Sequence, residues 1–132
     1  MLAELVYRET ASFPVQERYG LTSQMRRCAV SAVANIAEGK GRYGSRQFVA
    51  FLDIAHGSLR ELQALTALAT RLDFLAPETQ DRLDEATSHT IGQLLKLAQW
   101  IRGRTQRKPS RLPLPATMPI LSTSPASPTS PT

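Results

Sequence analysis

The segment from Ser45 to about Leu75 restricts the possible folds more than any other part of this chain. Phe48, Leu52, Ala55, Leu59, Leu62, Thr66 and Ala69 step by four and three in strict alternation. Phe51, Ile54, Ser58, Glu61, Leu65, Leu68, Leu72 and Leu75 repeat the same spacing as a second seam. Side chains three and four positions apart share one face of a helix. Two adjacent seams predict a long helix that touches neighbours on both sides, as an inner member of a left-handed bundle does.

The flanking segments supply those neighbours. From Leu21 to Glu38, the residues Leu21, Met25, Cys28, Ala29, Ala32, Val33 and Ile36 recur on one face, with Thr22 or Ser23 as start cap and Gly39 as terminator. Val30, Ala34 and Ala37 line the opposite side, beside a narrow polar stripe of Arg27, Ser31, Asn35 and Glu38. A helix that is apolar on two sides is usually buried on two sides. These seven residues therefore form a candidate oligomer interface, with Asn35 setting register as a buried polar group does.

Pro77 suits the first turn of a last helix, which runs to about Arg102 and carries Leu83, Thr87, Thr90, Leu94, Leu97 and Ile101 on one seam. A short first helix holds Leu2, Leu5, Val6 and Glu9, ending at Ser12-Phe13-Pro14. No part of residues 1–102 reads as a strand. The expectation is an all-α domain over residues 1–102, an antiparallel up-down-up-down four-helix bundle with a shortened first helix. Residues 103–132 form a basic, then Pro/Ser/Thr-rich tail: seven prolines follow from Pro109 onward with no period able to bury a face, which predicts disorder. Leu112, Leu114, Met118, Ile120 and Leu121 make its first half less polar than a linker and able to dock in a partner groove.

Charge is unevenly spread. Of 132 residues, 16 are basic and 11 acidic, a formal net charge of +5. Up to Ile101 there are 11 of each sign, so the whole excess comes from Arg102, Arg104, Arg107, Lys108 and Arg111. A basic block of this kind attracts phosphate backbones, and salt screens that attraction. The turn between the second and third helices adds Lys40, Arg42, Tyr43 and Arg46, with Ser45 as the expected N-cap of the third helix. Arginine forks match phosphate oxygens, a helix start favours anions, and a tyrosine ring stacks on bases. These nine residues are the candidate nucleic-acid contacts.

Several chemistries are excluded. Gly39-x-Gly41-x-x-Gly44 has the spacing of a dinucleotide loop, but that loop follows a strand within a βαβ unit and this one follows a helix. Two histidines, His56 and His89, are too few for a bundle metal site, so no metal and no cofactor is expected. Cys28 falls on an apolar helix face and no Gly-x-Ser-x-Gly elbow occurs, which argues against an enzyme. Ser58-x-x-Glu61 lies mid-helix; there, Gly57 and Ser58 are expected to admit a neighbouring helix and Glu61 to meet an arginine. One cysteine and no long apolar run predict a cytoplasmic protein with no membrane segment.

The run Ser12-Phe13-Pro14, then Glu17-Arg18-Tyr19-Gly20-Leu21-Thr22-Ser23-Gln24-Met25-Arg26-Arg27, then Ala34-Asn35-Ile36-Ala37-Glu38-Gly39, closely resembles a known family. Arg46-Gln47-Phe48, Phe51-Leu52, Ala55, Gly57-Ser58-Leu59 and Glu61-Leu62 continue the likeness, which spans roughly residues 2–102. The chain resembles the four-helix-bundle proteins encoded in intervening sequences of 23S rRNA genes, a group that includes accessory variability determinants of diversity-generating retroelements. The resemblance implies homopentamers of four-helix protomers. For the retroelement branch it also implies nucleic acid and a reverse transcriptase as partners.

Two departures stand out, the start of the first helix and the Pro-rich tail. Relatives begin with a longer first helix carrying a motif like Asp-Leu-x-Val-Trp-Gln, whereas this sequence starts inside that helix; a shorter helix uncovers its neighbours at about 25 cal/mol per Å². His56 stands where relatives often carry arginine. The expected function is non-enzymatic: a homo-oligomer presenting basic surface to RNA, DNA or a ribonucleoprotein such as the ribosome. The alternatives are a protein-binding scaffold, for example a reverse-transcriptase accessory subunit, or a truncated copy without function.

Overall fold

A computed structural model describes residues 1–41 and 44–106. Within them the chain forms four α-helices, α1 (Leu2–Thr10), α2 (Leu21–Lys40), α3 (Ser45–Arg71) and α4 (Pro77–Gln106), with a single 3-10 turn at Val15–Glu17 between α1 and α2. No strand occurs among the described residues. The expected tail from residue 107 onward lies outside them.

Each helix lies against two others. α3 packs on α2 and α4, and α1 packs on α2 and α4 from the other side. Every residue of the first α3 seam from Leu52 to Ala69 is buried, as the spacing predicts. The second seam divides: Ser58 and Leu65 are half-buried, but Ile54 is 52% exposed and Leu68 and Leu72 are also exposed. On α2, Leu21, Met25, Cys28, Ala29 and Ala32 are buried as expected, whereas Val33 is exposed.

The core has two parts. One combines Val6 of α1 and Phe13 with Met25, Cys28, Leu62 and Leu83, so all four helices contribute. The other joins Ala32, Leu52, Leu59, Ile91, Leu94 and Ile101 from α2, α3 and α4, with Leu2 packing on its margin. Met1 and Leu2, at the start of the nine-residue α1, border this second part. An apolar groove of about 640 Å³ opens there between α2 and α4, lined by Leu2, Ala32, Val33, Ile36, Leu59 and Ala86 among others.

Buried hydroxyls are satisfied locally. Thr66 donates to the Leu62 carbonyl at 2.8 Å and Thr87 to that of Leu83 at 2.6 Å, the i−4 bonding that lets threonine occupy a core seam. Thr10 donates to the Val6 carbonyl at 2.7 Å and accepts from Arg26 Nε at 2.9 Å, and the Arg26 guanidinium lies 4.6 Å from the Tyr7 ring centre. These contacts fasten α1 to α2.

The helix ends differ from the expected ones. Neither Thr22 nor Ser23 caps α2: the N-cap is Gly20, the Leu21 N–H donates to Glu17 Oε2 at 3.0 Å, and Thr22 is buried. Gly39 lies inside α2, which ends one residue later with Gly41 as C-cap. α3 stops at Arg71 rather than near Leu75, because Asp73 adopts φ 62° and the N–H groups of Phe74 and Asp73 turn back to the carbonyls of Ala69 and Thr70 at 2.9 and 3.0 Å. This Schellman closure seats Leu75 in the core from a loop, so the period continues past the helix that produced it. α4 begins at Pro77 as expected and extends to Gln106, four residues beyond the predicted end.

Candidate nucleic-acid interface

The C-terminal end of α2, the start of α3 and the end of α4 meet at one end of the molecule. Gly39 lets α2 and α3 approach closely, since a Cβ there would stand 2.7 Å from the Phe48 ring and 2.9 Å from Phe51 Cβ. Phe48 in turn borders a cavity of about 480 Å³ whose other walls are Gly44, Ser45, Trp100, Ile101, Arg104 and Thr105. A smaller groove of about 220 Å³ is bounded by Ser45, Arg46, Val49, Arg102, Thr105 and Gln106. Arg46, in the first turn of α3, and the α4 residues Arg102 and Arg104 thus surround the same helix start, although they stand far apart in the chain.

The α3 start is built differently from the sequence expectation. Ser45 is the first helical residue, and the N-cap is Gly44 in extended conformation, with no side-chain capping bond. A glycine cap leaves the positive end of the helix dipole without a polar side chain in front of it. Arg102 is held by Asp53 at 3.3 Å across an exposed pair, which orients it at little energetic gain. Lys40 closes α2 at the same end but faces the α2–α4 groove. Arg42, Tyr43, Arg107, Lys108 and Arg111 lie outside the described residues.

Trp100 is the residue the sequence reading passed over. It is 58% exposed, and the Arg104 guanidinium carbon lies 4.7 Å from its ring centre. The available signal was its position off the Leu94, Ala98, Ile101 seam, four residues before an arginine.

The candidate oligomer interface is mixed. Arg27, Val30, Ala34, Ala37 and Glu38 are exposed, with Val30 at 46%. Ser31 and Asn35 are half-buried and have partners inside the protomer. Ser31 Oγ lies 3.0 Å from Ser58 Oγ, and the Asn35 amide donates to the Ser31 carbonyl at 2.8 Å. Ser58 therefore does mediate close helix contact. Gly57 has nothing within 4 Å of a Cβ position, and Glu61 accepts from Gln24 Nε2 at 2.7 Å instead of from an arginine. Burial, followed by the neighbouring Glu61 carboxylate, pushes the Cys28 thiol up to about 11, so it stays protonated and packs as an apolar side chain.

The family profile of the 23S rRNA-intervening sequence proteins matches residues 1–96. The chain belongs to that family. As a member of the 23S rRNA-intervening sequence proteins, it shares its fold with a crystal structure described as a protein of unknown function from the S23 ribosomal protein family of Bacteroides thetaiotaomicron VPI-5482. The two are 17% identical with a TM-score of 0.62, over 74% of this chain and 98% of that one. No curated protein matches the sequence. The family match ends within α4 before Trp100, Arg102 and Arg104, so these three stand outside the matched stretch. Among the described residues no helix is long and apolar enough to cross a membrane.

Proposed function

We propose that this 23S rRNA-intervening sequence protein is a non-enzymatic, cytoplasmic homo-oligomer that holds nucleic acid on the basic end of its bundle. The observation that carries this reading is the grouping of Arg46 with Arg102 and Arg104 around the α3 start. Guanidinium groups beside an open helix N-terminus suit phosphate, and the reading needs no catalytic group. An antiparallel up-and-down order is part of the proposal. It is supported by the descending pairs Gln24 with Glu61, Ser31 with Ser58 and Gly39 with Phe48, and by Gln63 with Ser88 and Asp53 with Arg102.

Self-assembly, as a pentamer by the family resemblance, is supported by the exposed apolar side chains Val30 and Ile54 on α2 and α3. Repeating the basic end on each protomer multiplies weak phosphate contacts by avidity. The same apolar faces favour a second reading, a scaffold that binds a protein such as a reverse transcriptase or a ribosomal component.

Salt separates the two readings. Nucleic-acid affinity falls steeply with ionic strength, whereas apolar protein docking survives it. The variant Arg46→Glu/Arg102→Glu/Arg104→Glu is expected to weaken RNA binding and to flatten the plot of log affinity against log salt by about two to three. Fluorescence anisotropy of a labelled RNA checks this, and an unchanged affinity and slope would overturn the assignment.

A further inference from the structure

Three arginines account for attraction to phosphate but give Trp100 no role. α4 buries Leu94, Ala98 and Ile101 and leaves the largest side chain of that stretch 58% exposed. The indole is held in place from outside the core by the Arg104 guanidinium, 4.7 Å from its centre. A cation over an aromatic face fixes the plane of the ring without covering the rest of it. The ring borders the open-sided cavity of about 480 Å³, whose floor is Phe48 and Ile101 and whose rim is Ser45, Arg104 and Thr105. That volume is within the roughly 300–1,000 Å³ of small-ligand pockets. An apolar floor, an orientated indole and an arginine rim match a flat aromatic group attached to phosphate.

Building on the proposed nucleic-acid function, we propose that Trp100 is a stacking platform for an unpaired base, so that the basic end selects single-stranded over duplex nucleic acid. Stacking requires a base that is free of its own neighbours. In a duplex the bases are already stacked and paired, and only the arginines could engage the backbone. In a single strand a base enters the cavity against Trp100 while the adjoining phosphates meet Arg104 and Arg46. The contact is to the π-face, which every base has, so the site takes many sequences.

The chain contains one tryptophan, which makes its emission a direct reporter of this site. The full chain is titrated with a short uridine oligomer, a thymidine oligomer and an RNA duplex, with Trp emission and the anisotropy of the labelled nucleic acid followed together. Quenching by both single strands along the anisotropy curve is expected, with no quenching by the duplex. Quenching by the uridine oligomer alone would restrict the platform to RNA and still support stacking. Trp100→Ala is expected to weaken single-strand binding about tenfold or more and leave duplex binding unchanged, whereas Trp100→Phe retains most of the single-strand affinity. Because the ring is exposed, the helical circular dichroism of Trp100→Ala should match the parent.

Binding by anisotropy without a change in emission would overturn the platform while leaving nucleic-acid binding standing. An equal loss for single strands and duplex in Trp100→Ala would do the same. No binding to any of the three nucleic acids would overturn the proposed function and the platform with it. A shift in Trp emission that depends on protein concentration alone, without nucleic acid, would assign the ring to a contact between copies.

Discussion

Cys28 shows how a single side chain can be legible in the sequence while its energetics are not. Its place on the Leu21, Met25, Ala32 face identified it as a core residue, and it is buried. The neighbour that sharpens its effect, Glu61, belongs to another helix and came from no local pattern. The thiol pKa rises from 9.0 to about 11 on folding. A raised folded pKa means full stabilisation below about pH 9, lost as pH rises toward about 11, because the unfolded chain gives up the proton first. We expect urea stability to fall across that window and Cys28→Ala to reduce the fall by about 2 kcal/mol. Paired denaturation series of parent and variant isolate this group from all others. A parallel decline in both would exclude the thiol as its source.

At the scale of the element, the two α3 seams separate local from tertiary information. Leu52, Ala55, Leu59 and Leu62 were assigned to the core by spacing alone and are fully buried. Ile54, Leu68 and Leu72 have the same spacing and are exposed, because α2 and α4 cover only part of the helix circumference. Two glycines test the close crossing directly. Gly39→Ala places a methyl group against Phe48 and Phe51 and should destabilise the protein by about 1–2 kcal/mol despite alanine's better helix propensity. Gly57→Ala meets nothing within 4 Å and should stabilise it by about 0.5–1 kcal/mol. Opposite shifts of the urea midpoint are the expected result; two shifts of the same sign would contradict the crossing geometry.

For the whole molecule, the open question posed by the structure is what covers its apolar surface. Val30 and Ile54 are exposed on α2 and α3, and the partners of Ser31 and Asn35 are internal, so apolar packing is left to drive any assembly. Val30→Asp and Ile54→Asp should each shift the protein toward monomer in light scattering, with little loss of helix content, since neither side chain fills the core. If the parent is a monomer at every concentration, self-assembly is abandoned and the basic end acts one copy at a time. If the variants remain assembled, the interface lies on another face.

Helix existence, the buried α3 seam, Pro77 as a helix start and the excess of charge near Arg102 all followed from composition and spacing, because each depends on residues close together in the chain. Cap identity, the early closure of α3 at Asp73 and the exposure of Val33 did not, since they depend on neighbours that no periodicity specifies. The candidate site belongs mostly to the second kind. Its arginines were named one by one from sequence, but their meeting around the α3 start, and the place of Trp100 among them, required α3 and α4 to bring residues far apart in the chain onto two cavities that share Ser45 and Thr105.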